Sequence, residues 1–173
     1  MSSSGESDIR SAPGGAPKAP IKGLGDTVAV AFATCGGMGR CPVMPGTVGS
    51  LLGIPMYLLL EIQAPALRLM SLLALLAISV WAADRAEGLL GRKDPPEVVI
   101  DEVVGFVVTM AWMRPTVLAL GLGLAFFRAL DIAKVPPARW AERRLTGGLG
   151  VVGDDVLAGI MGNVGLRLVL WII

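Results

Sequence analysis

The chain alternates apolar and polar stretches from about residue 24 onward. Four stretches are runs of apolar side chains in which Leu and Ala dominate, namely residues 51–62, 64–83, 103–127 and 156–173. Turn-forming and charged residues bound these runs, as is typical of helices, and none shows the alternation of a half-buried strand. A weaker apolar segment, residues 26–34, predicts one further short helix. The pattern therefore predicts an all-α protein.

The lengths of the runs indicate how they could be arranged. Residues 64–83 and 156–173 are close to the about 20 apolar residues that a helix needs to cross the hydrocarbon core of a bilayer. Run 103–127 is interrupted by Met113-Arg114-Pro115, and proline both removes a backbone donor and disfavours helix at the preceding residue. We expect a hairpin of two short helices there, with one long kinked helix as the alternative. A hairpin would bring three polar segments to the same end of the bundle, namely 35–50, 84–102 and 128–155.

Composition favours a membrane protein over a soluble one. Hydrophobic residues make up 54% of the chain and charged residues 17%, with a mean hydropathy of +0.69. Soluble domains carry about 25% charged residues, which is more than this chain has. We therefore predict a compact multi-helix membrane bundle with short and broken helices. The alternative is an unusually hydrophobic soluble domain. The net charge of +1 is too small to indicate a basic surface that binds nucleic acid. Residues 1–23, rich in Ser, Gly, Pro and Ala, predict a disordered N-terminal tail before a single domain, 24–173.

Several phosphatase and hydrolase chemistries are excluded by residue types. The chain has no histidine, which removes His-nucleophile phosphatases, Ser-His-Asp hydrolases and His-ligated metal sites. Cys35 and Arg40 are one residue too close for a cysteine-phosphatase loop, and neither an Asp-x-Asp pair nor a Walker A lysine motif occurs. Metal-assisted hydrolysis, with carboxylates as ligands and base, is the chemistry that remains.

The carboxylates collect in two of the polar segments. The helix dipole explains one or two acids at the start of a helix but not so many together. Clustered hard oxygen ligands of this kind suit magnesium or manganese. The candidate acids are Asp94, Asp101, Glu102, Asp131, Asp154 and Asp155, with Asp84 and Glu87 sharing a helix face upstream. Asp94 or Asp84 could act as the free base.

Cations and hydroxyls near these acids could hold a phosphate. Arg128, Asp131 and Lys134 are three residues apart, so on a helix they form one stripe. That stripe is either a local salt-bridge set or a pair of phosphate-binding cations beside a metal-binding acid. Thr47 and Ser50 follow a Gly- and Pro-rich loop, where they either cap a helix or belong to an anion cradle of backbone amides.

The distribution of basic residues predicts the orientation in the membrane. Lysine and arginine are enriched in cytoplasmic loops of membrane proteins. Those in the two carboxylate segments include Arg85, Arg92, Lys93, Lys134, Arg139, Arg143 and Arg144. We therefore expect the acidic site to face the cytoplasm.

Four sequence blocks in this order resemble the phosphatidylglycerophosphatase A family over about residues 24–173. They are Gly37-x-Gly39-x-x-Pro42-x-x-Pro45-Gly46-Thr47-x-Gly49-Ser50-Leu51, Asp94-Pro95-(x)5-Asp101-Glu102-x-x-Gly105, Phe127-Arg128-x-x-Asp131-Ile132-x-Lys134 and Gly147-Gly148-Leu149-Gly150-x-x-x-Asp154-Asp155-x-x-Ala158-Gly159. The resemblance implies a magnesium-dependent (Mg2+) enzyme of the bacterial inner membrane. Such an enzyme converts phosphatidylglycerophosphate, a membrane phospholipid, to phosphatidylglycerol and phosphate, a step towards cardiolipin.

The resemblance also implies roles for individual residues. It carries catalytic roles onto the six acids Asp94, Asp101, Glu102, Asp131, Asp154 and Asp155. We expect the metal on Asp101, Glu102, Asp131, Asp154 and Asp155. We expect phosphate oxygens on Thr47, Ser50, Arg128 and Lys134. The nucleophile is either water or an aspartate, the number of ions is one or two, and the oligomeric state is open. The alternatives in function are a related phosphatase for another phosphomonoester and a non-enzymatic cation-binding membrane subunit.

Overall fold

The computed structural model describes residues 23–136, 138, 140 and 144–172. Within these residues the chain forms six α-helices and no β-strand, which confirms the all-α prediction. The helices are α1 (Leu24–Ala33), α2 (Pro45–Glu61), α3 (Pro65–Leu90), α4 (Ile100–Met110), α5 (Val117–Ala133) and α6 (Gly148–Ile172), with a 3-10 turn at Met38–Arg40. The predicted tail lies outside the described residues except for Gly23, and so do Arg139 and Arg143.

The helices extend further into the polar segments than the apolar runs predict. Helix α3 continues through Asp84 and Glu87, and α4 begins before Asp101, so segment 84–102 contains a shorter loop than expected. Helix α5 continues to Ala133 and α6 begins at Gly148, so both ends of segment 128–155 are helical as well, including the glycine-rich stretch before Asp154. The intrinsic preference of glycine against helix is only about 1 kcal/mol per residue, and tertiary packing overrides it here.

The predicted hairpin is confirmed. Helices α4 and α5 are separate and are joined by residues 111–116. This excludes the alternative of one long kinked helix. The side chains of Asn163 and Arg167 both donate to the carbonyl oxygen of Ala111, each at 3.0 Å. The Thr116 side chain accepts a bond from the third residue of α5 and so caps that helix. The backbone carbonyls of Ala111, Trp112 and Met113 in the turn therefore have partners on other helices.

Small residues allow the helices to pack closely around α4. Every residue of α4 except Glu102 is buried, so this short helix is the centre of the bundle. A Cβ atom on Gly53 would collide with the ring of Phe106, and one on Gly159 would collide with the carbonyl of Gly105. The small-residue spacings in α2 and α6 therefore serve helix packing, as GxxxG-type patterns do in membranes.

The outer surface of the bundle is apolar. Helices α3 and α6 are long and apolar enough to cross a membrane by length and composition. Large apolar side chains are exposed along both, for example Met70 and Leu73 on α3 and Val164 and Leu168 on α6. Exposed apolar area of this extent marks interaction with lipid or protein rather than with water. These features support the membrane bundle that the composition predicts.

The two ends of the bundle differ in their polar groups. We call "the carboxylate end" the end where α3 and α5 finish and α4 and α6 begin. Asp84 of α3 meets the start of α6 there, because its Oδ1 accepts the backbone N–H of Gly148 at 3.0 Å. The opposite end holds the α2–α3 and α4–α5 turns, where the hydroxyl of Tyr57 donates to the carbonyl of Met113. The hairpin thus brings the polar segments to the same end.

Candidate metal and phosphate site

Three carboxylates converge at the carboxylate end. Asp101 and Glu102 lie in the first turn of α4, and Asp155 lies in the second turn of α6. One carboxylate oxygen of each lies within 4.8 Å of the others. Asp101 and Asp155 are only 6% and 4% exposed, and Glu102 is half-buried. The sequence places Asp155 more than fifty residues from the other two, so the convergence is a product of the fold.

Each of the three carboxylates has a buried oxygen without a protein donor. Oδ1 of Asp101, Oε2 of Glu102 and Oδ2 of Asp155 are buried and have no hydrogen-bond partner among the described residues. Buried carboxylates that face one another repel, and burial of an unpaired charge is costly, so a bound cation would stabilise the ionised cluster. Three hard oxygen ligands fit Mg2+, which binds through a few carboxylates and completes its shell with water and substrate phosphate. The donor set therefore fits the ion that the resemblance implies.

Asp131 adds a fourth carboxylate to this cluster. It lies on α5 against Asp155 and forms an ion pair with Arg128, whose Nη1 is 2.5 Å from its Oδ2. The Nε of Arg128 is buried and has no hydrogen-bond partner within the described part of the chain. Arg128 therefore keeps a hydrogen-bond donor available beside the acids.

Lys134 departs from the stripe expected on α5. The helix ends at Ala133, and Lys134 takes a left-handed conformation with a φ of 43° as its C-cap. Its Nζ then lies 3.1 Å from Oδ2 of Asp154 on α6. The expectation of one continuous stripe through Arg128, Asp131 and Lys134 was thus wrong at its last residue. The lysine instead holds Asp154 beside the cluster.

Asp94 and Asp84 occupy different positions although both were candidate bases. Asp94 is exposed in the loop before α4, within electrostatic range of Asp101 and Asp154. It therefore lies at the mouth of the cluster. Asp84 accepts the Gly148 N–H and so caps α6, where an acid also complements the helix dipole. This contact makes Asp84 a structural group and corrects its assignment as a free base.

The first turn of α2 approaches the acids closely. A Cβ atom on Gly46 would collide with the carboxylate of Glu102 and would come within 2.9 Å of Nη1 of Arg128. The N-terminus of a helix favours anions because its N–H groups and its dipole point towards them. The sequence predicts that Gly46 belongs to an open loop whose backbone amides could hold phosphate oxygens, whereas the structure places it in the first turn of α2. The signal that could have placed it is Pro45, since proline is favoured at the first position of a helix.

Thr47 and Ser50 do not cap α2. The N-cap is Met44, whose side chain makes no capping bond, so the capping alternative for these two residues was wrong. Ser50 is fully buried, and its hydroxyl donates to the carbonyl oxygen of Gly46 at 2.8 Å. Thr47 is half-buried in the first turn of α2. The hydroxyl of Ser50 therefore bonds within its own helix, and the phosphate-binding role of Thr47 stays a prediction.

Cys35 lies near the cluster but is unsuited to nucleophilic attack. Burial, and then the nearby Glu102 carboxylate, raise the pKa of the Cys35 thiol to about 11. A thiol with that pKa stays protonated at neutral pH, and only the thiolate is an effective nucleophile. Cys41 is exposed and free. This arrangement agrees with the exclusion of cysteine-phosphatase chemistry from the sequence.

Comparisons with known proteins point to one family. The sequence model described as "Phosphatidylglycerophosphatase A" matches residues 31–170 of the chain. The phosphatidylglycerophosphatase A of Escherichia coli K12 is 32% identical over 126 residues, which cover 72% of this chain and 73% of that protein. The Haemophilus influenzae protein of the same name is 31% identical over 126 residues, 72% of this chain and 77% of its own length.

A relative with a different name also matches over most of its length. A Bacteroides thetaiotaomicron protein with the provisional name phosphatidylinositol-3-phosphatase is 34% identical over 156 residues, covering 83% of this chain and 94% of that protein. No solved structure matches the chain. The matched region 31–170 contains every acid and cation of the carboxylate end described above.

Proposed function

The chain belongs to the phosphatidylglycerophosphatase A family and is a phosphatase, and from that premise we propose that it hydrolyses phosphatidylglycerophosphate with Mg2+ in the bacterial inner membrane. The products are phosphatidylglycerol and phosphate, which places the reaction before cardiolipin synthesis. The observation that carries the proposal is the cluster of Asp101, Glu102 and Asp155, with three buried oxygens that lack partners, beside the donor of Arg128. Family membership sets aside the alternative of a non-enzymatic cation-binding subunit.

Asp101, Glu102 and Asp155 would hold the ion, with Asp131 next to them. When bound, Mg2+ supplies positive charge that neutralises phosphate oxygens and favours deprotonation of water. The other roles fall to the chain itself. Arg128 donates to a phosphate oxygen as negative charge develops, and the first turn of α2 adds its dipole from the other side.

Lys134 and Asp94 would complete the chemistry at the edge of the cluster. Lys134 shares its ammonium between Asp154 and a phosphate oxygen, and so positions both. Asp94, exposed at the mouth, accepts the proton of the attacking water as a general base. An aspartate as nucleophile is the alternative. Rapid acid quench during turnover of substrate with a radiolabelled phosphate separates the two, because only an aspartate nucleophile leaves labelled phosphate on the protein.

A second candidate substrate is a phosphoinositide. The relative named phosphatidylinositol-3-phosphatase matches over 94% of its length, so this fold could carry another lipid phosphomonoester. The apolar exterior keeps either diacylglycerol in the lipid while the headgroup reaches the acids. The two candidates therefore differ only in how the headgroup is recognised.

Phosphate release from three substrates tests the proposal. In detergent with Mg2+, we expect kcat/KM for phosphatidylglycerophosphate to exceed that for phosphatidylinositol 3-phosphate or glycerol 3-phosphate by about tenfold or more, equivalent to about 1.4 kcal/mol. Chelation should stop release, and added Mg2+ should restore it. A preference for the phosphoinositide would instead support the second candidate. Failure to hydrolyse any of the three lipid or soluble esters would refute the proposal.

A labelling experiment on native residues tests the orientation of the site in the membrane. Cys41 is exposed beside the carboxylate end, whereas the raised pKa of Cys35 keeps that thiol unreactive. We expect a membrane-impermeant maleimide to label Cys41 in inverted vesicles and not in intact spheroplasts. The matched control is Arg114→Cys in a Cys41→Ser background, because Arg114 is exposed at the opposite end. Labelling of Cys41 from outside the cell would contradict a cytoplasmic site.

A further inference from the structure

An apolar groove lies between α1, α2, α3 and α4 beside the carboxylates. Its volume is about 480 Å³, within the range of about 300–1,000 Å³ that small-molecule pockets occupy. The side chains that line it are apolar apart from the thiol of Cys35, and they include Phe32, Leu52, Met56, Leu59 and Leu75. The metal and phosphate groups described above do not use this groove.

The groove begins at the carboxylate end of the bundle. Cys35 lines it there and lies within electrostatic range of Glu102, and Ile100 at the start of α4 lines it as well. From there it follows α2 from Leu52 to Leu59, which at 1.5 Å per residue is about 10 Å along the helix. The groove therefore runs from the carboxylate end towards the opposite end of the bundle, the direction in which a lipid tail would extend from a headgroup at the acids.

We propose that this groove holds one acyl chain of the lipid substrate while its phosphate lies at Asp101, Glu102 and Asp155. The inference rests on the proposed function, because it assigns a subsite to the same lipid. Leaving the bilayer for a protein groove gains little hydrophobic free energy, since lipid tails are as apolar as leucine side chains. The groove instead fixes the lipid in position and so orients the phosphate for reaction.

Other occupants fit the groove less well. The N-terminal residues 1–22 are rich in Ser, Gly and Pro, and such side chains would leave an apolar groove largely unfilled. The groove also begins at the carboxylate end, near Glu102, a position that serves a bound lipid and has no particular value for a partner helix. An acyl chain satisfies both the apolar lining and the start of the groove at the carboxylate end.

Photolabelling locates the bound chain directly. The probe is phosphatidylglycerophosphate with a diazirine midway along one acyl chain, bound to the full chain in detergent with Ca2+ replacing Mg2+ to slow turnover. We expect adducts concentrated on peptides that carry Phe32, Met56 and Leu59, and we expect excess unlabelled lipid to remove them. Adducts spread evenly over the exposed faces of α3 and α6, or insensitive to competitor, would overturn the proposal.

A matched pair of tryptophan variants tests the effect on catalysis. Leu59→Trp fills the far part of the groove, and Leu58→Trp adds the same bulk at an exposed neighbour outside it. For the dioleoyl substrate we expect Leu59→Trp to lower kcat/KM about tenfold, since small misplacements are costly, and Leu58→Trp to leave it unchanged. A dihexanoyl substrate is too short to reach Leu59, so both variants should hydrolyse it like the wild type.

The outcomes separate the two proposals. Equal effects of Leu59→Trp and Leu58→Trp, or equal losses on both chain lengths, would overturn the acyl subsite while leaving the proposed function intact. Wild-type protein that hydrolyses neither chain length would refute the proposed function. The photolabelling pattern would then still decide whether the groove binds an acyl chain.

Discussion

Asp101→Asn is expected to lower the rate of phosphate release about 10³-fold, which corresponds to about 4 kcal/mol of lost transition-state stabilisation. Asp101 is 6% exposed, its Oδ1 has no hydrogen-bond donor among the described residues, and one of its carboxylate oxygens lies within 4.8 Å of those of Glu102 and Asp155. Asparagine keeps the size of the side chain but replaces one charged oxygen ligand by an amide. The measurement is the initial rate on phosphatidylglycerophosphate in detergent over a Mg2+ titration.

Thermal unfolding distinguishes a metal ligand from a structural acid. Without divalent ions the Asp101→Asn protein should be at least as stable as the wild type, because one of several repelling buried carboxylates is gone. The rise in unfolding temperature that Mg2+ causes in the wild type should be largely lost. Asp26→Asn is the matched control, since Asp26 is a buried acid paired with Arg85 away from the cluster. It should lose stability and keep both activity and the response to Mg2+. A Mg2+ response of Asp101→Asn equal to the wild type would contradict the assignment.

The sequence predicts which ends of the helices meet, because chain direction and turn positions determine that. The break at Arg114-Pro115 turns the chain back, and the polar segments on either side of the hairpin then share an end. Hydrophobic periodicity does not predict the residue at which each helix ends. Asp84 and Glu87 interrupt the apolar pattern but not the helix, since Asp84 finds the N-terminus of α6 as a partner. Such a partner lies sixty-four residues away and leaves no local signal.

The same limit applies to the groups around the acids. Spacing of three residues placed Lys134 on the stripe of Arg128, but one left-handed residue redirects it to Asp154. The closeness of Gly46 to Glu102 depends on how α2 packs on α4. Hydrophobic periodicity does not predict the distance between two packed helices. Local patterns therefore predicted the elements and the residue types of the site. The pairing of those residues depends on contacts between distant segments.

Gly46→Ala is expected to lower kcat/KM about 10²-fold without unfolding the protein. The added methyl would occupy space that the Glu102 carboxylate and the Arg128 guanidinium now fill. Both are far ends of flexible side chains, so the backbone can stay in place while these groups move. A displacement of about 1 Å at a reacting group can cost about 10²-fold in rate. The measurement is kcat and KM on phosphatidylglycerophosphate, together with Mg2+ affinity from the shift in unfolding temperature.

The two displaced groups predict a specific combination of effects for this variant. Movement of Glu102 should weaken Mg2+ binding, and movement of Arg128 should raise KM, whereas simple loss of fold would lower the unfolding temperature without Mg2+. Gly121→Ala is the control, because Gly121 is also helical and a Cβ there meets nothing within 4 Å. It should keep wild-type kinetics and gain up to about 1 kcal/mol from helix propensity. If Gly46→Ala keeps wild-type activity and Mg2+ affinity, then α2 does not border the reacting phosphate, and the dipole of its first turn has no part in the reaction.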